Sequence, residues 1–369
     1  MVSIARQILL HDRLRFTITV ISLGFAMVMI LYDIGMFFSV TGDSISVVSH
    51  SPSEVWVTQK GEANLLSGSL IAESTLKSVR SLEGIRQACP IGYSAGSLKI
   101  AGNRQAQIIA IDPACSLVQP WDVVEGDVAE LSQPDTIVLD DFTARGANPV
   151  RVGDIVKLND RDLRVVAITH GNRSFTSSFV YISLQTYSKI GGKPGMVNFI
   201  PVKLEPGVSS GQFTQRVSEM DAQLTGIQTP AFKQASINAL VSQGVGMIFV
   251  VVLVGVLVGV LVISLTLYTA TMEQLRDFAV LKALGATRWK IWAVVLEEAI
   301  TETSVSFILG LLISFGVDAL VTSVSGIRGA FPPLPILVSF AAMLILAVFG
   351  SLLSIRKATS VDPAMVFRA

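Results

Sequence analysis

Charge is what this sequence has least of. Only 15% of its 369 residues are Asp, Glu, Lys or Arg, against about 25% in soluble domains. That deficit, with 51% hydrophobic residues and a mean hydropathy of +0.60, excludes a chain that is soluble along its whole length. The 28 basic and 28 acidic residues cancel, so nothing in the charge balance favours nucleic acid. Histidine is scarce (His11, His50, His170), and so is cysteine (Cys89, Cys115). No cluster of them has metal-ligand spacing, which argues against a zinc site. The two cysteines fall in the polar part of the chain. They form a disulfide in an oxidising compartment or stand as buried thiols, and spacing does not choose between these. No G-x-x-x-x-G-K-[ST] sequence occurs, so the chain does not itself cradle ATP phosphates. A nucleophile elbow, a metal motif, an internal repeat and low-complexity sequence are also lacking.

Long apolar runs are what the chain does have. Residues 16–38 form one of 23 residues and 245–268 another of 24 without a charge; roughly 20 cross a bilayer as a helix. The first is too long for a signal-peptide core, and VTGDSISVV offers no small-residue cleavage site, so it reads as a retained span. Residues 293–324 and 336–353 supply two further spans, separated by the short proline-rich link SGIRGAFPPLP. The expectation is an α-helical membrane protein with four transmembrane helices and an extracytoplasmic α+β domain between the first two.

That domain covers residues 40–242. Its 17 basic and 19 acidic residues nearly cancel. VWVTQ, IIAIDP, TIVLDD, IVKLND, RVVAITH and FVYISL read as strands. SGSLIAESTLKSVRSL reads as a helix capped near Ser67 or Ser69, and SSGQFTQRVSEMDAQL as one started by Ser209 or Ser210. Helices among short strands suggest βαβ-like units. NPVRVGDIVKLNDRDLRVVAITH reads as a hairpin turning at Asn159-Asp160.

Orientation follows from Lys and Arg beside the spans, which favour the cytoplasm. Arg6, Arg13 and Arg15 precede the first span, against Asp12. Arg276, Lys282, Arg288 and Lys290 lie between spans two and three, and Arg356, Lys357 and Arg368 in the tail. The outer link has only Arg328. This makes residues 1–15, 271–292 and 354–369 cytoplasmic and the large domain extracytoplasmic. After span two, a helical reading puts Met272, Leu275, Phe278 and Ala279 on one face and Glu273, Gln274, Arg276 and Asp277 on the other. Gly285 ends it. Such an amphipathic helix, attached to a span, can press on a soluble partner and pass force to the membrane. Gly255 and Gly259 form a small-xxx-small pair suited to close helix packing in lipid. Acids inside spans are functional candidates by default, so Asp33 and Glu302 are candidates, weighed against hydration near an interface. Met36 is one of several span-one side chains that could line a lateral opening.

The segment TMEQLRDFAVLKALGATRWKIW resembles the cytoplasmic stretch of permease subunits in the ABC transporter class that includes MacB and FtsX. There Asp277 takes the acidic place, and Leu281-Lys282-Ala283-Leu284-Gly285-Ala286 matches directly. VVLEEAI and the tail SIRKATSVDPAMVFRA resemble the same class, and the resemblance covers nearly the whole chain. DevC-like permeases are the nearest in layout, with HrtB-like permeases close by. The resemblance implies a homodimer in the bacterial inner membrane, each copy binding a separate ABC ATPase subunit, with a periplasmic adaptor and outer-membrane channel as further partners. It implies no enzyme activity and no cofactor. It assigns ATPase coupling to Glu273, Arg276, Asp277, Lys282, Gly285 and Ala286. A DevC-like role implies export of a lipid-like molecule and an HrtB-like role implies haem; an FtsX-like role implies activation of a periplasmic cell-wall hydrolase without transport. The topology makes one direct prediction. A Lys282→Cys variant will react with an impermeant maleimide in inside-out vesicles and not in intact cells; labelling in intact cells would invert the arrangement.

Overall fold

The computed structural model describes residues 13–100, 103–144, 149–173, 177–242, 246–273, 279–280, 282, 284–325 and 329–360. The chain divides into two compact units. One is Val40–Gly246; the other combines Met1–Ser39 with Met247–Ala369.

Helix α1 (Arg13–Ser44) leads to a short turn of helix, α2 (Ser46–Ser49). Then follow β1 (Val55–Gln59), β2 (Ile71–Ala72), α3 (Thr75–Arg80), β3 (Ile85–Ala88), β4 (Ile91–Lys99), β5 (Asn103–Ile111) and β6 (Val123–Gly126). Next come β7 (Thr136–Asp140), α4 (Asp141–Ala144), β8 (Ile155–Leu158), β9 (Arg161–Thr169), β10 (Ser178–Ser183) and α5 (Leu184–Lys189). The unit closes with β11 (Met196–Val197), β12 (Ile200–Leu204), α6 (Ser210–Met220), β13 (Leu224–Gln228) and α7 (Thr229–Leu240). Three long helices complete the description: α8 (Gly246–Glu273), α9 (Arg288–Ser325) and α10 (Pro333–Ser360).

The larger sheet of the inserted unit runs β6-β9-β7-β10-β5-β4-β8, and β8 also pairs with β9. The strands from β9 to β8 therefore close on themselves, which removes the open edges that invite aggregation. Two pairs are parallel, β10 with β5 and β7 with β9. Period-two alternation sorts the side chains. Ile108, Ala110, Ile137, Leu139, Val180 and Ile182 join one buried cluster. Their neighbours Ile109, Ile111, Val138, Phe179 and Tyr181 join a second, with Trp56, Phe199 and Phe232. Trp56 and Phe232 stack at 5.0 Å. Val47 and Val48 of α2 lie in that second cluster too, so the first and last helices of the unit share one core.

The closure is made at a turn the sequence announces. Asn159 and Asp160 both have positive φ, 47° and 67°, as a two-residue type I′ hairpin requires. The Asn159 backbone N–H donates to the Ser97 carbonyl (2.9 Å), and the Ser97 N–H donates to Asn159 Oδ1 (2.8 Å). Lys99 meets Asp160 at 2.6 Å. The hairpin tip is thereby fixed to β4, where Leu98 pairs with Leu158.

The smaller sheet, β13-β1-β12-β3, is wholly antiparallel. Val55, Val57 and Val202 on one face pack with Leu76 and Val79 of α3 and Phe213 and Val217 of α6. The expected helix from Ser67 is shorter than its sequence suggested. Residues Ile71–Ala72 instead pair with Met196–Val197. Ser69 Oγ accepts the Gln59 N–H at 3.0 Å, and the helix starts at Thr75. Burial of Ile71 in the sheet's core overrides local helix propensity there. The strands read as VWVTQ, TIVLDD, IVKLND, RVVAITH and FVYISL are present, and IIAIDP is the end of the longer β5. Cys89 and Cys115 form a disulfide with a Cα–Cα distance of 6.1 Å, within the usual span.

In the other unit, Leu23, Met27 and Leu31 of α1 pack with Ala299 and Phe307 of α9 and Met343 and Ala347 of α10. Outward faces carry Ile18, Ile21 and Phe25 on α1, Leu253, Leu257 and Leu261 on α8, and Ile308 and Leu312 on α9, all exposed. A helix apolar on both faces suits lipid, not water. Among the described residues, Phe16–Ser44 and Trp289–Thr322 are long and apolar enough to cross a membrane, while the apolar stretch Pro333–Phe349 is shorter.

One ion pair gives the inserted unit a pH signature. Arg161 Nε and a terminal guanidinium nitrogen donate to the two Asp135 oxygens at 2.8 and 2.9 Å. The Arg161 guanidinium holds the Asp135 carboxyl below the usual carboxylate range. Because the folded value is the lower one, the stabilisation is present above the unfolded value, about 3.9, and is lost as pH falls through the folded value. More than a third of each side chain is exposed, so the contribution is at most about 1 kcal/mol. Asp135→Asn will lower thermal stability at pH 7, and the gap to wild type will close on acidification. A gap that stays constant to pH 3 would refute the assignment.

Candidate functional site

The described residues of the elbow between α8 and α9 form a hydrogen-bonded turn and are largely exposed. Glu273, the last described residue of helix α8, is exposed. Ala279 is buried and Val280 exposed, Lys282 is half-buried, and Leu284 is 80% exposed. Gly285 has φ +89°, a left-handed conformation that a side chain would strain. Its N–H donates to the Lys282 carbonyl (3.0 Å), and the Leu284 N–H to that of Val280 (3.0 Å). Thr287 then starts α9, its carbonyl accepting the Lys290 N–H at 2.9 Å. Ala286 packs against Ile291 and Val295, which clamps the turn to the first turns of α9. Trp289 is exposed and stands edge-on to Trp292 at 6.1 Å. Leu284 and Trp289 thus present exposed apolar surface. Arg276 and Asp277 lie outside the described residues.

The membrane candidates distribute differently. Asp33 of α1 sits directly against Gly255 of α8, and a Cβ at Gly255 would strike its carboxylate. Gly259 lies on α8 one turn on. Glu302 and Glu298, one turn apart on α9, are both buried, with Thr303, Ser306 and Ser314. Met36 is half-buried on α1. These residues do not converge on one point: Asp33 meets α8, whereas Glu302 belongs to the buried side of α9.

Sequence reading missed the contacts at the other end of the helices. Gly310 of α9 lies against α1, and a Cβ there would come within 2.5 Å of Met27 Cβ and 3.1 Å of the Gly24 carbonyl. Phe331 covers Gly35, where an added Cβ would be 2.8 Å from its ring. The Ala330 N–H donates to the Gly35 carbonyl at 2.9 Å, and Asp318 Oδ1 accepts the Gly329 N–H at 2.5 Å. The small residues and the FPP sequence were the visible signals, but neither says which helix stands opposite.

Long apolar helices before and after an inserted folded domain, with an exposed turn between two of the helices, are the features of a membrane protein with a folded extramembrane part. Residues 16–220, more than half of the chain, match the family described as MacB-like periplasmic core domain, and residues 249–363 match FtsX-like permease C-terminal. The chain therefore belongs to the MacB/FtsX family of ABC transporter permeases. An uncharacterised ABC transporter permease of Mycobacterium tuberculosis is 25% identical over 96% of this chain and 95% of its own length. The macrolide export ATP-binding/permease protein MacB of Agrobacterium fabrum is 26% identical over 64% of this chain and 38% of its own. The periplasmic region of MacB from Actinobacillus actinomycetemcomitans aligns with a TM-score of 0.40 at 20% identity, covering 50% of this chain and 92% of that one.

Two glycines of α9 separate packing from tolerance. Gly310→Leu will lower the thermal stability of the purified protein in detergent, because the new side chain meets Met27 and the α1 backbone. Gly316→Leu, with nothing within 4 Å of the new Cβ, will behave as wild type. Equal stability of the two variants would contradict the α1–α9 seam.

Proposed function

We propose that this chain is the permease subunit of a MacB- or DevC-type exporter, with four membrane spans and a periplasmic domain. A separate ATPase supplies the energy. The two family matches, in order along one chain, carry the reading. A relative named as an ABC transporter permease is matched over 95% of its own length, which supports an ATPase on a separate chain. The four helices α1, α8, α9 and α10 fall where the apolar runs are, which supports four spans and a cytoplasmic elbow.

In this reading two copies pair and each elbow docks on one ATPase subunit. Leu284 and Trp289 supply apolar contact, while Glu273, Arg276, Asp277 and Lys282 supply charge. The left-handed turn at Gly285 and the packing of Ala286 on Ile291 make the elbow move with α9 instead of flexing. Motion from ATPase closure then reaches the helices and, through α1 and α8, the periplasmic domain. The cargo is a lipid-like or hydrophobic molecule, handed to a periplasmic adaptor.

Asp277→Arg will insert and co-purify as wild type does, yet ATP hydrolysis by the complex will no longer yield export. Export is read as lipid appearing in the medium of cells expressing permease, ATPase and adaptor. Normal export by this variant would sink the coupling role. Loss of a cell-wall hydrolase activity, with lipid export never detectable, would favour the FtsX-like reading instead.

A further inference from the structure

We propose that the cavity between α1 and α10 binds one acyl chain of a lipid. The inference rests on the reading of a lipid-like cargo and narrows it to the hydrocarbon part. Ile34, Phe37 and Phe38 of α1 face Leu334, Val338 and Ser339 of α10 across about 400 Å³. At about 30 Å³ for a group the size of a water molecule, that space holds about 13 methylenes, most of a common fatty-acyl chain.

The chemistry of the walls selects the occupant. Ser339 is the polar residue among those lining the cavity, and its hydroxyl is already given to the Pro335 carbonyl at 2.8 Å. No lining side chain is His, Cys, Met or Tyr, so none can ligate a haem iron. None is Lys or Arg, so no cation awaits a carboxylate or phosphate. A headgroup therefore stays outside and a hydrocarbon chain goes in. Leu334 and Val338 are 70% and 59% exposed, which opens the cavity sideways, towards the surface that the other outward apolar side chains present to lipid.

The walls are held apart by built contacts. Phe331 is seated on Gly35 and stands edge-on to Phe315 at 5.3 Å. With the Ala330–Gly35 and Gly329–Asp318 hydrogen bonds, it ties the link between α9 and α10 to α1. Helix α10 thus begins at a fixed offset from α1, and the gap beside it persists without a ligand. A second copy of the chain, packing by helix ridges, would cover the opening and leave the hole behind it unfilled. The site lies near the end of α1 from which the inserted unit begins.

The test uses the full chain in nanodiscs doped with a phosphatidylethanolamine carrying a diazirine in mid-chain. After irradiation, adducts should concentrate on the peptides containing Ile34–Phe38 and Leu334–Ser339. Val338→Trp, which narrows the cavity, should lower them about tenfold, the loss expected from displacing only about two methylenes. Leu257→Trp, on the outward face of α8, should leave them unchanged. Adducts spread evenly over outward positions such as Leu257 and Leu312 would show annular lipid only and overturn the proposal. So would efficient disulfide cross-linking of Phe38→Cys between two copies that blocks the adducts, because a second copy would then be the occupant. Lipid-stimulated ATP hydrolysis by the assembled complex is read separately. Localised adducts without stimulation sustain the cavity and sink the export reading; stimulation with evenly spread adducts does the reverse.

Discussion

The membrane unit depends on how closely α1 approaches α9. Between apolar helices in lipid there is little hydrophobic drive, so contact must come from packing and backbone approach. Gly310 supplies it by having no side chain where Met27 and the Gly24 carbonyl stand. Buried Ser306 and Ser314 continue the same narrow seam along α9. Once α1 and α9 are set together, Met343 and Ala347 bring α10 onto the pair, and Phe331 locks the link over Gly35. Helix α9 runs unbroken from Arg288 to Ser325 and packs against α1.

The inserted unit is joined to the long helices at both of its ends. Its core is shared between incoming and outgoing segments: Val47 and Val48 precede the first strand, Phe232 follows the last, and all three lie in the cluster around Trp56. Beside it the closed sheet resists shear because each of its strands is paired on both sides. Asn172 reinforces one end of that sheet. Its N–H donates to Asp140 Oδ2 (2.8 Å), its Nδ2 to the Trp121 carbonyl (2.7 Å), and its Oδ1 accepts from Tyr181 (3.1 Å). Burial keeps the Tyr181 hydroxyl protonated, pushing its ionisation well up. His50, beyond α2, stacks on Trp121 at 3.9 Å.

Much of this was legible in the chain. Apolar run lengths located the long helices, since bilayer thickness sets that scale. Runs rich in β-branched and aromatic residues located six of the thirteen strands among the described residues, and Asn159-Asp160 announced its turn because few residues accept two successive positive φ values. Reading failed where long-range pairing outvoted local preference. Ile71–Ala72 looked helical and pairs with a strand more than a hundred positions away. Cys89 and Cys115 gave no sign of whether they meet. Of the candidate residues, the Gly285 turn was visible as a glycine after a periodic segment, but Gly35, Gly310 and Phe331 were not, because the chain does not say which helix face opposes which.

The sequence alone determined that the chain carries long apolar helices, where they lie, where the hairpin at Asn159-Asp160 turns, and which family its motifs resemble. Those properties depend on composition, period and local backbone chemistry, all of which are written residue by residue. Only the tertiary structure decided that the sheet closes, that the cysteines pair, that Asp33 meets Gly255, and that α1 and α10 leave a hole lined by hydrocarbon. Those depend on which surfaces are brought together, and apolar surfaces are interchangeable in sequence until packing distinguishes them by shape.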